Sequence, residues 1–224
     1  MIHFMIDANQ RPLFFILFLI LCCLVTILAC QFSIPPYSSG DVIFVDDFSI
    51  SNENWDIWEK SNESAVSFFE DGLIMIVSKP NLDIITTNYV SYPDILIQTT
   101  AHKRLGTNDN TYGIVCRYLN DKNYYGFLIS SDGYYGIIKV VKGEYKMLSS
   151  ENMEFDESIH QGKEENNISA ICEGNNLTLL INGIEKASVI DEDLTMGKTG
   201  LITGSFSEAD EIAVLFDNFI VKVP

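Results

Sequence analysis

Glu154, Asp156 and Glu157 place three carboxylates within four residues, the grouping nearest to what acid/base cleavage of a glycosidic bond requires. A retaining mechanism sets two carboxyl groups about 5 Å apart on one face. This run lies instead in the polar stretch Glu151 to Glu165, which has no strand alternation. It reads as a solvated acidic loop with room for one surface helical turn. The three histidines, at 3, 102 and 160, have no zinc-ligand spacing, and no Gly-x-Ser-x-Gly elbow or phosphate-binding loop occurs. The residues therefore predict no catalytic pair, triad or metal motif.

Binding chemistry is better supported, through strand register. A tight turn at Asp132-Gly133 places Leu128 opposite Ile137, Gly126 opposite Lys139 and Tyr124 opposite Val141. By alternation Tyr124, Gly126, Leu128, Tyr135, Ile137 and Lys139 share an open face, while Tyr125, Phe127, Ile129, Tyr134 and Ile138 turn to the core. If the preceding loop is Asn120 to Asn123, Arg117 faces Gly126. Two cations then flank a bare glycine, with Tyr124 and Tyr135 beside it, an arrangement that suits a sugar ring, a carboxylated or sulfated one included. The same two cations would equally serve as ion-pair partners for the abundant acids.

Cysteine usage and the N-terminus speak to location. Leu13 to Ala29 is an apolar run of about 25 Å as a helix, short for a hydrocarbon core of about 30 Å and well suited to a signal h-region. It ends Thr26-Ile27-Leu28-Ala29-Cys30, which resembles the lipobox of bacterial lipoproteins. That resemblance implies lipidation of Cys30 and cleavage after Ala29, with an uncleaved signal anchor as the alternative. Residues 1–29 are then the signal segment, and 30–40, with two prolines and three serines, a tether. Either route puts the domain outside the cytoplasm, held at a membrane. Of the five cysteines, Cys116 and Cys172 remain after Cys22, Cys23 and Cys30 are set aside. They are expected either to form a disulfide in an oxidising compartment or to be buried free thiols.

The 224 residues carry 14 Lys plus Arg against 31 Asp plus Glu, a net charge of −17 that losing Arg11 and Asp7 with residues 1–29 leaves unchanged. That field repels a phosphate backbone, so nucleic acid is excluded as a partner. An apolar fraction of 47% excludes a largely disordered chain. From Asp41 the chain alternates short β-type runs with turn dipeptides such as Asp71-Gly72, Lys142-Gly143 and Asn182-Gly183. Fourteen runs are expected, the pattern of a two-sheet antiparallel sandwich.

The order of motifs carries a family resemblance over residues 41–224. Phe44-Val45-Asp46-Asp47-Phe48 with Trp55 and Trp58, then Asp71-Gly72-Leu73, resembles the opening of a concanavalin A-like jelly roll. So do Tyr112 to Tyr118, Asn123-Tyr124-Tyr125, Leu177 to Gly183 and the closing Phe216-Asp217-Asn218-Phe219. Laminin-G-like and lichenase-like sandwiches are the relatives implied, including domains of bacterial surface lipoproteins. Such folds host lectins, glycosidases and adhesive modules, so the fold leaves function open. The lichenase motif, Glu-x-Asp with a second Glu just beyond, is incomplete at Glu154 to Glu157. The resemblance also implies a structural calcium on the convex side, held by Asp47, the backbone of Gly72 and Asp217, although Asp-rich turns also arise as caps. The resulting expectation is a noncatalytic, membrane-tethered module that binds glycan or another extracellular polymer. A divergent glycoside hydrolase or lyase and a structural or protein-interaction module are the alternatives.

Overall fold

Along residues 95–104 buried and half-buried residues alternate without a break, the period-two signature of a strand with one face on a core. Runs of this kind fill the computed structural model of the protein, which describes residues 37–61, 63–206 and 211–224. The chain divides into Met1–Ser38 and Ser39–Pro224, and the strands belong to the second unit. The apolar run and Cys30 lie outside the described residues.

In chain order the strands are β1 (Val42–Asp46), β2 (Trp58–Lys60), β3 (Ser64–Phe69), β4 (Gly72–Val77), β5 (Leu82–Ser91), β6 (Ile95–Leu105), β7 (Asn110–Asn120) and β8 (Asn123–Ile129). They continue as β9 (Tyr134–Val141), β10 (Glu144–Met147), β11 (Glu154–Phe155), β12 (Asn166–Glu173), β13 (Asn176–Ile181), β14 (Ile184–Ile190), β15 (Lys198–Ser205) and β16 (Ile212–Lys222). No helix occurs among the described residues. Two antiparallel sheets form the architecture. One runs β14-β13-β12-β6-β16-β4-β3-β2, with β1 against the last residues of β16, and the other runs β10-β9-β8-β7-β15-β5, with β11 against β9. This is the jelly-roll sandwich of the concanavalin A-like fold.

The main core lies between the sheets and draws on both: Leu73, Met75, Ile97, Phe216 and Val221 from one, Ile114, Tyr125, Phe127 and Leu201 from the other. A disulfide joins Cys116 on β7 to Cys172 on β12 and so links the two sheets covalently. A smaller apolar cluster occupies the other face of the seven-stranded sheet: Val115, Tyr124, Leu128, Ile138, Val140 and Ile202. There large residues and glycines alternate across the strands, Val115–Gly126–Ile138 in one row and Ile202–Gly113–Leu128–Gly136 in the next. Each glycine makes room for its neighbours. A methyl group on Gly126 would lie 2.8 Å from Ile138, one on Gly136 would lie 2.5 Å from Met147, and one on Gly113 would strike the Phe127 carbonyl.

Two registers differ from the sequence expectation, and each has a local cause. The β8–β9 loop contains four residues rather than two: the Ser130 N–H donates to Tyr134 O, and Ile129 pairs with Tyr135. Ser131 is drawn out of the ladder because both its N–H and its hydroxyl donate to the buried Asn110 carbonyl. Gly126 therefore pairs with Ile138, and Lys139 with Tyr125. In β7 a bulge separates the pair Cys116–Tyr125 from Asn120–Asn123, so Arg117, Tyr118 and Leu119 together oppose Tyr124. Arg117 takes a left-handed backbone, φ 50°, to make that turn.

Candidate functional site

The slips redistribute the expected open-face site. Arg117 is 1% exposed. From the bulge its guanidinium reaches three loop carbonyls, donating to Leu194 O at 2.8 Å, Pro93 O at 3.1 Å and Gly174 O at 2.7 Å. It faces the end of the sandwich and not Gly126. Burial pushes its pKa down, while Tyr125 and Asp94 act in the opposite direction. Lys139 is held by Asp191 and, at 2.5 Å, by Asp193. Burial alone would lower its ammonium pKa, but these carboxylates outweigh burial and hold it above the usual lysine value. Tyr135 and Ile137 turn to the main core, and Ile138 takes the space beside Gly126. Tyr134, expected in the core, is 40% exposed. Tyr124 does lie on the second face, buried and packed against Tyr118 with ring centroids 6.1 Å apart. The five expected ligand residues therefore do not form one site: the bare slot is an apolar cluster, and both cations serve the scaffold.

Beyond Tyr118 the surface does open into a groove of about 380 Å³, between the β2 edge of one sheet and the β5 edge of the other. Its walls carry Asp56 with Trp58 and Lys60 of β2, Asp83 from β5, Tyr118 near the end of β7 and Asp121 just beyond it. The sequence places these groups by simple alternation. Asp56, Trp58 and Lys60 are spaced at i, i+2 and i+4, so one extended segment directs all three to one side.

Buried polar anchors fix that segment. The Asp46 carboxylate accepts the Trp55 indole N–H and the Asn52 amide, both at 2.9 Å, and Trp55 stands edge-on to Phe219 at 4.8 Å. Asp56 is then tied to β5 by its N–H to Thr87 O, by Thr86 Oγ1 to its own carbonyl, and by Thr87 Oγ1 to its carboxylate at 2.7 Å. On the opposite wall the Tyr118 hydroxyl donates to Asp121 at 2.6 Å. Desolvation and the Asp121 bond both push the Tyr118 phenol pKa up. Desolvation likewise raises the Asp83 carboxyl. Lys60 is engaged by Glu63 at 2.5 Å. Two rings and several hydroxyl-accepting carboxylates thus converge on one concavity.

The remaining sequence candidates sit elsewhere. Asp47 accepts the Ser49 N–H and hydroxyl, which hold its pKa down. Asp217, on β16, is pushed up by burial, with the Asp47, Glu165 and Asp71 carboxylates adding to the rise. Gly72 opens β4 against Leu215 and Phe216 of β16. Asp47 and Asp217 are thus close enough to feel each other's charge, yet no group of three or more His, Cys, Asp or Glu side chains among the described residues is arranged to hold a metal. Glu154, expected in a loop, lies with Phe155 in the short strand β11, where it accepts the Tyr135 hydroxyl at 3.1 Å.

No protein-family model matches the sequence, and no curated protein matches it. Solved structures do match in fold. The carbohydrate-binding module CBM66 from Bacillus subtilis aligns with a TM-score of 0.62 at 13% identity, covering 75% of this chain and 95% of that one. A Bacillus subtilis protein of unknown function with a galectin-like fold gives 0.61 at 11% identity, over 84% of this chain and 98% of that one. The Bacillus licheniformis beta-glucanase gives 0.60 at 8% identity, over 84% and 100%. At these identities the likeness establishes the sandwich and leaves the chemistry to the site.

Proposed function

We propose that this protein is a noncatalytic glycan-binding module whose ligand lies in the groove between β2 and β5. The observation that carries the reading is the pairing there of Trp58 and Tyr118 with the Asp56, Asp83 and Asp121 carboxylates. A sugar presents an apolar C–H face and a rim of hydroxyls, and aromatic rings beside fixed acceptors match both. The fold neighbours that bind or cleave carbohydrate support the reading without assigning it. Lipidation of Cys30, or retention of residues 1–29 as an anchor, would hold the domain of residues 41–224 at a membrane on a short tether, outside the cytoplasm. Mass spectrometry of the native protein separates the two routes: an acylated N-terminal Cys30 supports the lipoprotein, and an intact segment 1–30 supports the anchor.

A glycan array tests the binding. Trp58→Ala is expected to abolish array signals while Arg117 and Lys139 variants that remain folded keep them. Retention of every signal by Trp58→Ala removes the groove from the reading. Catalysis is the second reading, favoured by the presence of Asp83 in the groove together with the Asp56 and Asp121 carboxylates. Release of reducing sugar from an array ligand, lost in Asp83→Asn, decides for it.

A further inference from the structure

The groove is unequal in charge. Among the described residues its ionisable lining consists of four acids, Asp56, Glu63, Asp83 and Asp121, and one base, Lys60. That base is already bound to Glu63. Asp56 and Asp121 accept neutral hydroxyl groups, from Thr87 and Tyr118, which satisfy lone pairs but cancel no charge. Asp83 carries no ion pair among the described residues and is crowded by its neighbours. A methyl group on Gly204 of the adjacent strand β15 would lie 1.9 Å from its carboxylate oxygen, and Thr111 closes the same space. The groove therefore carries an excess of exposed carboxylates, beside the Trp58 and Tyr118 side chains.

An anionic sugar is the ligand this arrangement rejects. A like charge among fixed carboxylates adds repulsion, and the net charge of −17 adds a long-range barrier. A ligand that combines a pyranose ring with a protonated amine fits every wall. The C–H face covers an indole or phenol ring, the ammonium group sits over the second ring or against the carboxylates, and the hydroxyls find acceptors. A simple polyamine or lysine-rich peptide would satisfy the charge and leave the ring faces without a flat partner. Resting on the glycan-binding reading, we infer that the groove selects amino sugars with free, protonated amines, as in an oligomer of glucosamine, over their N-acetylated, neutral and anionic counterparts.

Titration calorimetry on the full chain under mildly acidic conditions tests this with a β-1,4-glucosamine oligomer, its fully N-acetylated form, a cello-oligosaccharide of equal length, an oligogalacturonate and hexalysine. The glucosamine oligomer is expected to bind at least about tenfold more tightly than the acetylated and neutral oligomers, the size of one charged hydrogen bond. Its affinity is expected to fall as salt is raised. Asp83→Asn combined with Asp121→Asn, near-isosteric changes that spare the packing, should bring it down to the neutral level. Equal, salt-insensitive binding of glucosamine and cello-oligosaccharide overturns the amine selectivity and leaves the glycan reading standing. Equal binding of hexalysine overturns sugar recognition in favour of charge alone. Failure of every saccharide to bind overturns both readings together.

Discussion

Arg117→Met removes a charge and its donors while keeping most of the side-chain bulk, so it isolates what the guanidinium does at the end of the sandwich. In the folded protein that group bonds the carbonyls of Leu194, Pro93 and Gly174, which lie in three separate connections. Hydrogen bonds to a charged donor contribute about 1.5–3 kcal/mol each, and carbonyls left buried without a partner cost a further share. Three such bonds set a ceiling of about 9 kcal/mol. Two terms reduce it: the arginine is relieved of its own desolvation, and water can reach part of the vacated space. The expected loss is about 3–5 kcal/mol, which for a domain of this size lowers Tm by about 6–20 °C. Urea denaturation with the disulfide kept intact is the assay, and m should be unchanged if the native fold is kept. A loss below about 1 kcal/mol refutes the view that Arg117 ties these loops together. A loss of glycan binding at full stability would return Arg117 to the ligand site.

Asp83→Asn is expected to raise Tm at neutral pH. A carboxyl whose folded pKa lies above its unfolded value makes the protein lose stability as pH rises through the interval between the two, and the amide removes that loss. The gain should vanish at pH values below the unfolded carboxylate pKa, and a uniform gain at all pH values would contradict the titration argument. Gly126→Trp is expected to unfold or severely destabilise the domain because Ile138 already fills the slot; a stable, folded variant would show that this face is open. Reducing the Cys116–Cys172 bond, which closes a 56-residue separation, should cost about 4 kcal/mol in the chain-entropy account, measured by urea denaturation with and without reductant. If Asp47, Gly72 and Asp217 hold calcium, millimolar calcium raises Tm and a chelator reverses the rise; an unchanged Tm in both removes the ion.

Strand positions were legible because alternation is a local property: Ser64–Phe69 has the same ends in the sequence reading and in the structure. Register was not, since it depends on partners distant in the chain. Nothing in Ser130-Ser131-Asp132-Gly133 announces that Asn110 will capture Ser131, and that one contact moves Tyr135, Ile137 and Lys139 to the opposite face. The groove had a legible half. Asp56, Trp58 and Lys60 alternate like a strand, but with three residues assigned to β2 the segment is too short to stand out. Its other half, Asp83, Tyr118 and Asp121, comes together only when β5 and β7 pair through β15, which is far from both in the chain.

The last strand in the chain is also among the most interior. β16 lies between β6 and β4, and β1 pairs with its final residues, so Asp46 and Phe219 become neighbours across most of the chain. Until residues 212–222 have been made, the nine-stranded sheet is in three parts, β14-β13-β12-β6, β4-β3-β2 and β1 alone, with nothing to join them. Closure joins segments far apart in the chain, which makes folding slow relative to local structure formation. The domain thus stays open until β16 has been made, and removing residues 212–222 would divide the sheet rather than trim its edge.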